Sequence, residues 1–186
     1  AVRKALSQTE VPARVFNPTH VNRQSALLDE ALELARAGVV VDITAFPVDD
    51  EDDAVPAAVA LQRYFAAGAP ASNVTISSDG GGCLPVFNDA GEMLSMDIGS
   101  PTCLAATLKA ALAAGMLLED VLPAFTANVA QLLRLRRKGR IAPGGDADLI
   151  VLDSHNDIVD VMANGRWHVR NGVQQIYGQF EKEDKI

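Results

Sequence analysis

The chain is short of cysteine, of positive charge and of long apolar runs. Two cysteines, Cys83 and Cys103, in 186 residues are too few for a disulfide framework; they fit a reducing compartment, and a cytoplasmic location is expected. No apolar run approaches the roughly 18 residues of a membrane-spanning helix. The start, Ala1-Val2-Arg3-Lys4-Ala5-Leu6, has neither an initiator methionine nor the apolar core of a signal peptide. An opening in mid-pattern leads us to expect a processed or truncated product. Lys and Arg number 16 against 24 Asp and Glu, a net charge of -8, which argues against nucleic acid and anionic membrane as partners. There is no internal repeat and no low-complexity tract. Gly80-Gly81-Gly82 lacks the G-x-x-x-x-G-K-[ST] spacing of a phosphate loop.

What is present is an ordinary globular composition, 48% apolar and 22% charged, enough for one domain or for one domain and part of another. Leu6 reads as an apolar contact at the end of a short helix over residues 1–10. A strand is expected over 14–19 and a helix over 24–37, where Ala26, Leu27, Ala31, Leu34 and Ala35 recur at helical spacing and Gly38 ends the pattern. The β-branched run Val39-Val40-Val41-Asp42-Ile43-Thr44 reads as a strand buried on both faces. Asp49-Asp50-Glu51-Asp52-Asp53 reads as a solvated loop. A helix over 54–67 and a strand over 74–78 follow, so the order is β-α-β-α-β, the pattern of parallel crossovers. A longer loop is expected from Gly80 to Gly99, then helices over 102–114 and 118–133, with Pro123 near the start of the second, where proline is tolerated.

The texture changes at Gly139. After the turn-rich stretch 139–148, short strands are expected at Leu149–Leu152, Ile158–Ala163, 167–169 and 173–176. Asn164-Gly165 and Asn171-Gly172 are hairpin dipeptides, because both positions tolerate positive φ. The chain therefore divides at 138/139, with an α/β portion over 1–138 and an antiparallel β segment over 139–186.

Two expected strands end on residues that can bind metal: Val15-Phe16-Asn17-Pro18-Thr19-His20 and Val74-Thr75-Ile76-Ser77-Ser78-Asp79. In a (β/α) barrel the C-terminal strand ends meet at the mouth and carry the chemistry. A histidine and a carboxylate there suit a metal-dependent hydrolase, yet a catalytic zinc usually takes three protein ligands. Asp79 could serve as metal ligand and proton acceptor, or merely cap a turn before the glycines. Arg23, three residues past His20, could grip a substrate carboxylate with its planar fork or pair with a surface acid. Asp42, inside an apolar strand, is as consistent with a buried structural carboxylate as with a catalytic one. Cys83 has no histidine nearby in sequence and makes a poor nucleophile. His155 and His168 fall in the β tail as surface or structural residues, and Trp167 reads as a cross-strand packing residue.

The stretches Asn17-Pro18-Thr19-His20-Val21-Asn22-Arg23 and Thr75-Ile76-Ser77-Ser78-Asp79-Gly80, with Val41-Asp42-Ile43-Thr44 between them, resemble the isoaspartyl (β-aspartyl) dipeptidases of the amidohydrolase superfamily. The stretch Gly139-Arg140-Ile141-Ala142-Pro143-Gly144-Gly145-Asp146-Ala147-Asp148-Leu149-Ile150-Val151-Leu152 and the run Met162-Ala163-Asn164-Gly165-Arg166 resemble the wider superfamily where its barrel meets its C-terminal strands. The resemblance implies an α/β fold: the C-terminal part of a metal-dependent (β/α)8 barrel, about strands six to eight, with the last strands of a small β-sandwich. It implies two zinc ions, with His20 as a metal ligand, Asp79 as metal ligand and general acid/base, and Arg23 as the clamp on a substrate carboxylate. Cys83 stands where the family usually has serine, and a thiol is a weaker hydrogen-bond donor than a hydroxyl at a substrate contact. The family's His-x-His, carboxylated lysine and strand-five histidine have no counterpart here, and a typical barrel needs about 250 residues.

The expected function is therefore metal-dependent hydrolysis of β-aspartyl dipeptides by a longer parent enzyme, a homo-oligomer, with this segment inactive by itself and the N-terminal part of the same protein as its partner. One alternative keeps the superfamily and changes the substrate, to a cyclic amide or a deaminase substrate. Another is a non-catalytic half-barrel module, whose open sheet edge would favour association.

Overall fold

A computed structural model of the chain describes residues 1–48, 53–88 and 90–179. The acidic loop expected over 49–53, except for Asp53, and residues 181–186, which read from the sequence as a frayed end, lie outside the described residues. The chain opens with helix α1 (Val2–Gln8), whose Val2 and Leu6, four residues apart, rest against the core. The strand expected over 14–19 does not form. Ala13–Val15 is a 3-10 turn, and the chain then runs extended beside the next strand. Pro18 has no N–H to give to a ladder, and in place of a ladder the segment makes separate bonds, among them Asp42 N–H to Pro18 O (2.9 Å), Val21 N–H to Asp42 O (3.3 Å) and Asn17 Nδ2 to Val40 O (2.9 Å).

Helix α2 (Ser25–Arg36) buries Leu28, Ala31, Leu34 and Ala35, a stripe at the 3.6-residue period. Strand β1 (Val41–Thr44) is buried at every residue, as its β-branched run implies. Helix α3 (Ala57–Ala66) starts behind Pro56 and buries Ala57, Ala60, Leu61 and Tyr64. Strand β2 (Val74–Ser77) pairs with β1 in parallel, Val41 opposite Val74 through Thr44 opposite Ser77. Side chains alternate across this pair. Val41, Ile43, Val74 and Ile76 join α2 and α3 in the core, while Asp42, Thr44, Thr75 and Ser77 share the other face. Fully burying each large apolar side chain contributes about 1.5–3 kcal/mol.

The loop expected between Gly80 and Gly99 is an antiparallel hairpin, β3 (Cys83–Phe87) and β4 (Met93–Ile98). Its turn is built on Asn88, whose Oδ1 accepts the N–H groups of Ala90 and Glu92. Helix α4 (Cys103–Ala113) matches the expected one. The expected helix over 118–133 is two, α5 (Leu118–Phe125) and α6 (Ala127–Leu132), broken at Thr126 (φ -134°, ψ -84°). Pro123 lies in the sixth position of α5 rather than near its start, where it removes an intrahelical donor. Thr126 Oγ1 bonds back to Leu122 O at 2.8 Å, and Asn128 Nδ2 anchors α6 to Ala71 O and Val74 O. The tail is a four-stranded antiparallel meander, β5 (Leu149–Leu152), β6 (Ile158–Ala163), β7 (Arg166–Arg170) and β8 (Val173–Gln174). β8 stops two residues short of expectation. Both Asn-Gly turns have positive φ at each residue, as expected. Trp167 faces Met162 across the ladder and stacks under Arg170, 4.3 Å from its ring centroid. Among the described residues no helix is long and apolar enough to cross a membrane.

Candidate active site

The two strand-end residues singled out by the sequence meet in space. His20 Nε2 lies 3.8 Å from Asp79 Oδ2, with both side chains about two-fifths exposed or less. Both have left-handed backbone, φ 56° at His20 and 50° at Asp79. For residues other than glycine this costs about 1–3 kcal/mol and persists where the surroundings over-determine it. At His20 the surroundings are β1 and Asn22. Asp42 bonds to Pro18 and then to Val21, so the chain kinks outward at the residues between. Asn22 is fully buried: its Nδ2 donates to Thr44 O (3.0 Å) and Val55 O (2.8 Å), and its Oδ1 accepts Thr44 N–H at 2.9 Å. That side chain pins the loop carrying His20 and Arg23 to the end of β1.

At Asp79 the surroundings are glycines. Gly82 N–H donates to Asp79 O (2.8 Å), Gly81 N–H to Gly99 O (2.9 Å) and Gly99 N–H to Gly82 O (2.9 Å). A Cβ on Gly82 would fall 2.9 Å from Asp79 Oδ1, and one on Gly99 would fall 2.5 Å from Asp79 O. The glycine run therefore works as close backbone packing around the carboxylate.

Arg23 and Asp79 line one pocket with Phe46, Ser78, Ser100 and Cys103. The Arg23 guanidinium stands 5.7 Å from the Phe46 ring centroid, within cation–π range. Cys83 is exposed at the start of β3, opposite Ile98, and is not among the residues lining that pocket. His155 is a surface residue and His168 sits in β7.

Asp42 sits on the polar face of the parallel pair. Its Oδ1 accepts from Thr75 Oγ1 (2.7 Å) and its Oδ2 from Ser77 Oγ (2.6 Å), with Thr44 Oγ1 at 3.5 Å. Burial pushes its carboxyl above the ordinary value, opposed by the hydroxyl bonds and the nearby His20. These bonds to hydroxyls tie its carboxyl to the facing strand.

The donors fit a cation in part. His20 Nδ1 is buried with no hydrogen-bond partner among the described residues, a costly condition that a ligand would relieve. Its other nitrogen faces a carboxylate oxygen beyond hydrogen-bond distance. Among the described residues no three His, Cys, Asp or Glu side chains gather as a metal set.

Sequence reasoning missed Phe46, Ser100 and Cys103 as pocket residues and Asn22 as the loop's anchor. Phe46, two residues past β1, was open to the same strand-end argument as His20. Ser100 and Cys103 reach the pocket only because the hairpin returns the chain to Gly82.

The amidohydrolase family model matches residues 14–168. A β-aspartyl dipeptidase from the thermophilic keratin-degrading Fervidobacterium islandicum AW-1, solved in complex with a β-Asp-Leu dipeptide, is 34% identical and superposes with a TM-score of 0.83 over 97% of this chain and 46% of its own. A second structure of β-aspartyl dipeptidase from that organism is 32% identical, with a TM-score of 0.79 over 97% of this chain and 44% of its own. An adenosine deaminase from Xanthomonas campestris with bound zinc shares the fold at 17% identity, with a TM-score of 0.51 over 95% of this chain and 44% of its own. The chain thus spans less than half the length of each of these proteins.

Proposed function

Because the chain belongs to the amidohydrolase family, we propose that it supplies part of the active site of a zinc-dependent β-aspartyl dipeptidase. In this reading, residues 1–138 form about the last three strands and helices of a (β/α)8 barrel, and residues 139–186 belong to a small β-sandwich. The observation that carries the reading is the meeting of His20 and Asp79 at 3.8 Å, with Arg23 in the same pocket as Asp79. His20 and Asp79 would each hold one of two zinc ions, and the remaining ligands would come from polypeptide outside these residues. Zinc, when bound, supplies Lewis acidity and lowers the pKa of water.

The chain's own residues do the rest. Arg23 binds a substrate carboxylate through its planar fork and so sets the dipeptide's orientation. Asp79 takes the proton from the attacking water and delivers it to the leaving nitrogen as the amide C–N bond breaks, giving aspartate and the free amino acid. Phe46 lies against Arg23 and limits the directions in which the guanidinium can turn. Cys83, four residues past Asp79, offers at most a weak thiol hydrogen bond to substrate. Unpaired Cys83 and Cys103 fit a cytoplasmic protein, and a homo-oligomer is part of the same reading.

The test is an assay of the full-length protein on β-Asp-Leu, α-Asp-Leu, a cyclic amide and adenosine. Hydrolysis of β-Asp-Leu alone, lost on chelation and restored by zinc, is expected. Turnover of the cyclic amide or adenosine with β-Asp-Leu untouched would move the protein to another branch of the family, and no turnover of any of them would favour a non-catalytic module.

A further inference from the structure

We propose that Asp42 is a positioning residue for the His20–Asp79 pair: its main chain holds the segment that bears His20, and its carboxylate holds the strand that leads to Asp79. The inference rests on the reading of His20 and Asp79 as metal donors.

Asp42 lies on β1, between those two segments. On one side its N–H donates to Pro18 O (2.9 Å) and its O accepts Val21 N–H (3.3 Å), which brackets His20. On the other side its carboxylate accepts from Thr75 Oγ1, directly opposite in register, at 2.7 Å. It also accepts from Ser77 Oγ at 2.6 Å, and Ser77 stands two residues before Asp79. Thr44 reinforces the link, bound to Asn22 in the His20 loop through its main chain and 3.4 Å from Ser77 Oγ through its hydroxyl.

Burying a carboxylate, 6% exposed here, is an expensive way to join two strands. Well-packed apolar residues of similar volume often serve stability equally well or better. What an apolar residue lacks is direction: two short bonds to hydroxyls fix both the lateral and the axial offset of β1 against β2. Metal–ligand distances tolerate about 0.2 Å, so an offset held at this precision decides whether donors on two different strands converge on an ion. Partners bonded directly to ligands typically set affinity by about 10–100-fold, and Asp42 acts one step further out, through the segments that carry the donors.

The experiment compares Asp42→Asn, Ser77→Ala and Ser77→Thr with the parent full-length protein. It reads the zinc dissociation constant by chelator competition, the visible spectrum of the cobalt-loaded protein, β-Asp-Leu kinetics and the melting temperature. Asp42→Asn and Ser77→Ala should weaken zinc up to about 10-fold, the low end for groups bonded directly to a ligand, and shift the cobalt spectrum, while Ser77→Thr, which keeps the hydroxyl, restores both. Where β-Asp-Leu is hydrolysed, kcat should fall with KM nearly constant, because Arg23 is untouched. Unchanged zinc affinity and cobalt spectrum in a folded Asp42→Asn protein would overturn the proposal, as would a Ser77→Thr variant as weak as Ser77→Ala. Should Asp42→Asn fail to fold, the two Ser77 variants decide. A parent protein that holds zinc but leaves β-Asp-Leu intact refutes the dipeptidase reading alone; one that holds no zinc refutes both.

Discussion

At the scale of single residues, the proposed roles of Asp79 and Arg23 separate chemistry from binding. Asp79→Asn keeps the shape of the side chain and removes its basicity. In the full-length protein it should cut hydrolysis of β-Asp-Leu by about 10²–10⁴-fold, the usual reach of general acid–base catalysis, with the melting temperature little changed. Full activity in that variant would contradict the role assigned to Asp79. Arg23→Lys keeps the charge and loses the fork. A charge-assisted hydrogen bond is worth about 1.5–3 kcal/mol, so KM should rise about tenfold or more with a smaller change in kcat; steady-state kinetics reads the split. Asp42 makes a prediction about pH. Burial raises its folded pKa above the ordinary 3.8. Its contribution to stability is therefore fully present below that value and lost as pH climbs through the raised pKa. In metal-free protein, the stability of the parent relative to Asp42→Asn should fall as pH rises over that window, as urea unfolding at several pH values would measure. His20 and Asp79 stood out in the sequence because each ends an apolar run, and Arg23 because it follows His20 by three residues. Asn22 stood beside them unread, since a buried asparagine bonding to main-chain oxygens 22 and 33 residues away leaves no local pattern.

At the scale of elements, the helices and the buried strands followed from periodicity, and the exceptions have local causes. Pro18 denied the first expected strand a ladder donor. Pro123 and Thr126 divided one expected helix into two. The β3–β4 hairpin was missed because it lacks the two-residue Asn-Gly signal that marked both tail hairpins; its turn is closed by the Asn88 side chain. The hairpin's base returns Gly99 against Asp79, and that contact carries a prediction. Gly99→Ala places a Cβ 2.5 Å from Asp79 O, so Asp79 or the hairpin must shift. Overpacking of this kind costs about 1–3 kcal/mol, and β-Asp-Leu hydrolysis should fall further than the loss of folded protein explains. Denaturant titration alongside kcat distinguishes the two effects; an unaltered kcat would show that Asp79 does not depend on the glycine packing.

At the scale of the molecule, the decisive fact is a shortage of donors. A histidine and an aspartate lie 3.8 Å apart, and no third His, Cys, Asp or Glu side chain joins them among the described residues. Catalytic zinc usually takes three protein ligands. The 186-residue chain alone should therefore retain little zinc after gel filtration and leave β-Asp-Leu intact; tight, stoichiometric zinc in it would contradict the view that ligands from elsewhere complete the site. The sequence by itself determined the order of the helices and buried strands and the antiparallel tail, because each is written in local spacing and turn chemistry, and its motifs around His20 and Asp79 carried the resemblance to the family. Only the tertiary structure decided which of those residues meet. Parallel register places Asp42 opposite Thr75, glycine packing sets Asp79 in the left-handed region, and Asn22 fixes the loop of His20 and Arg23. Each of these depends on contacts between segments far apart in the chain, and such contacts leave no periodicity to read.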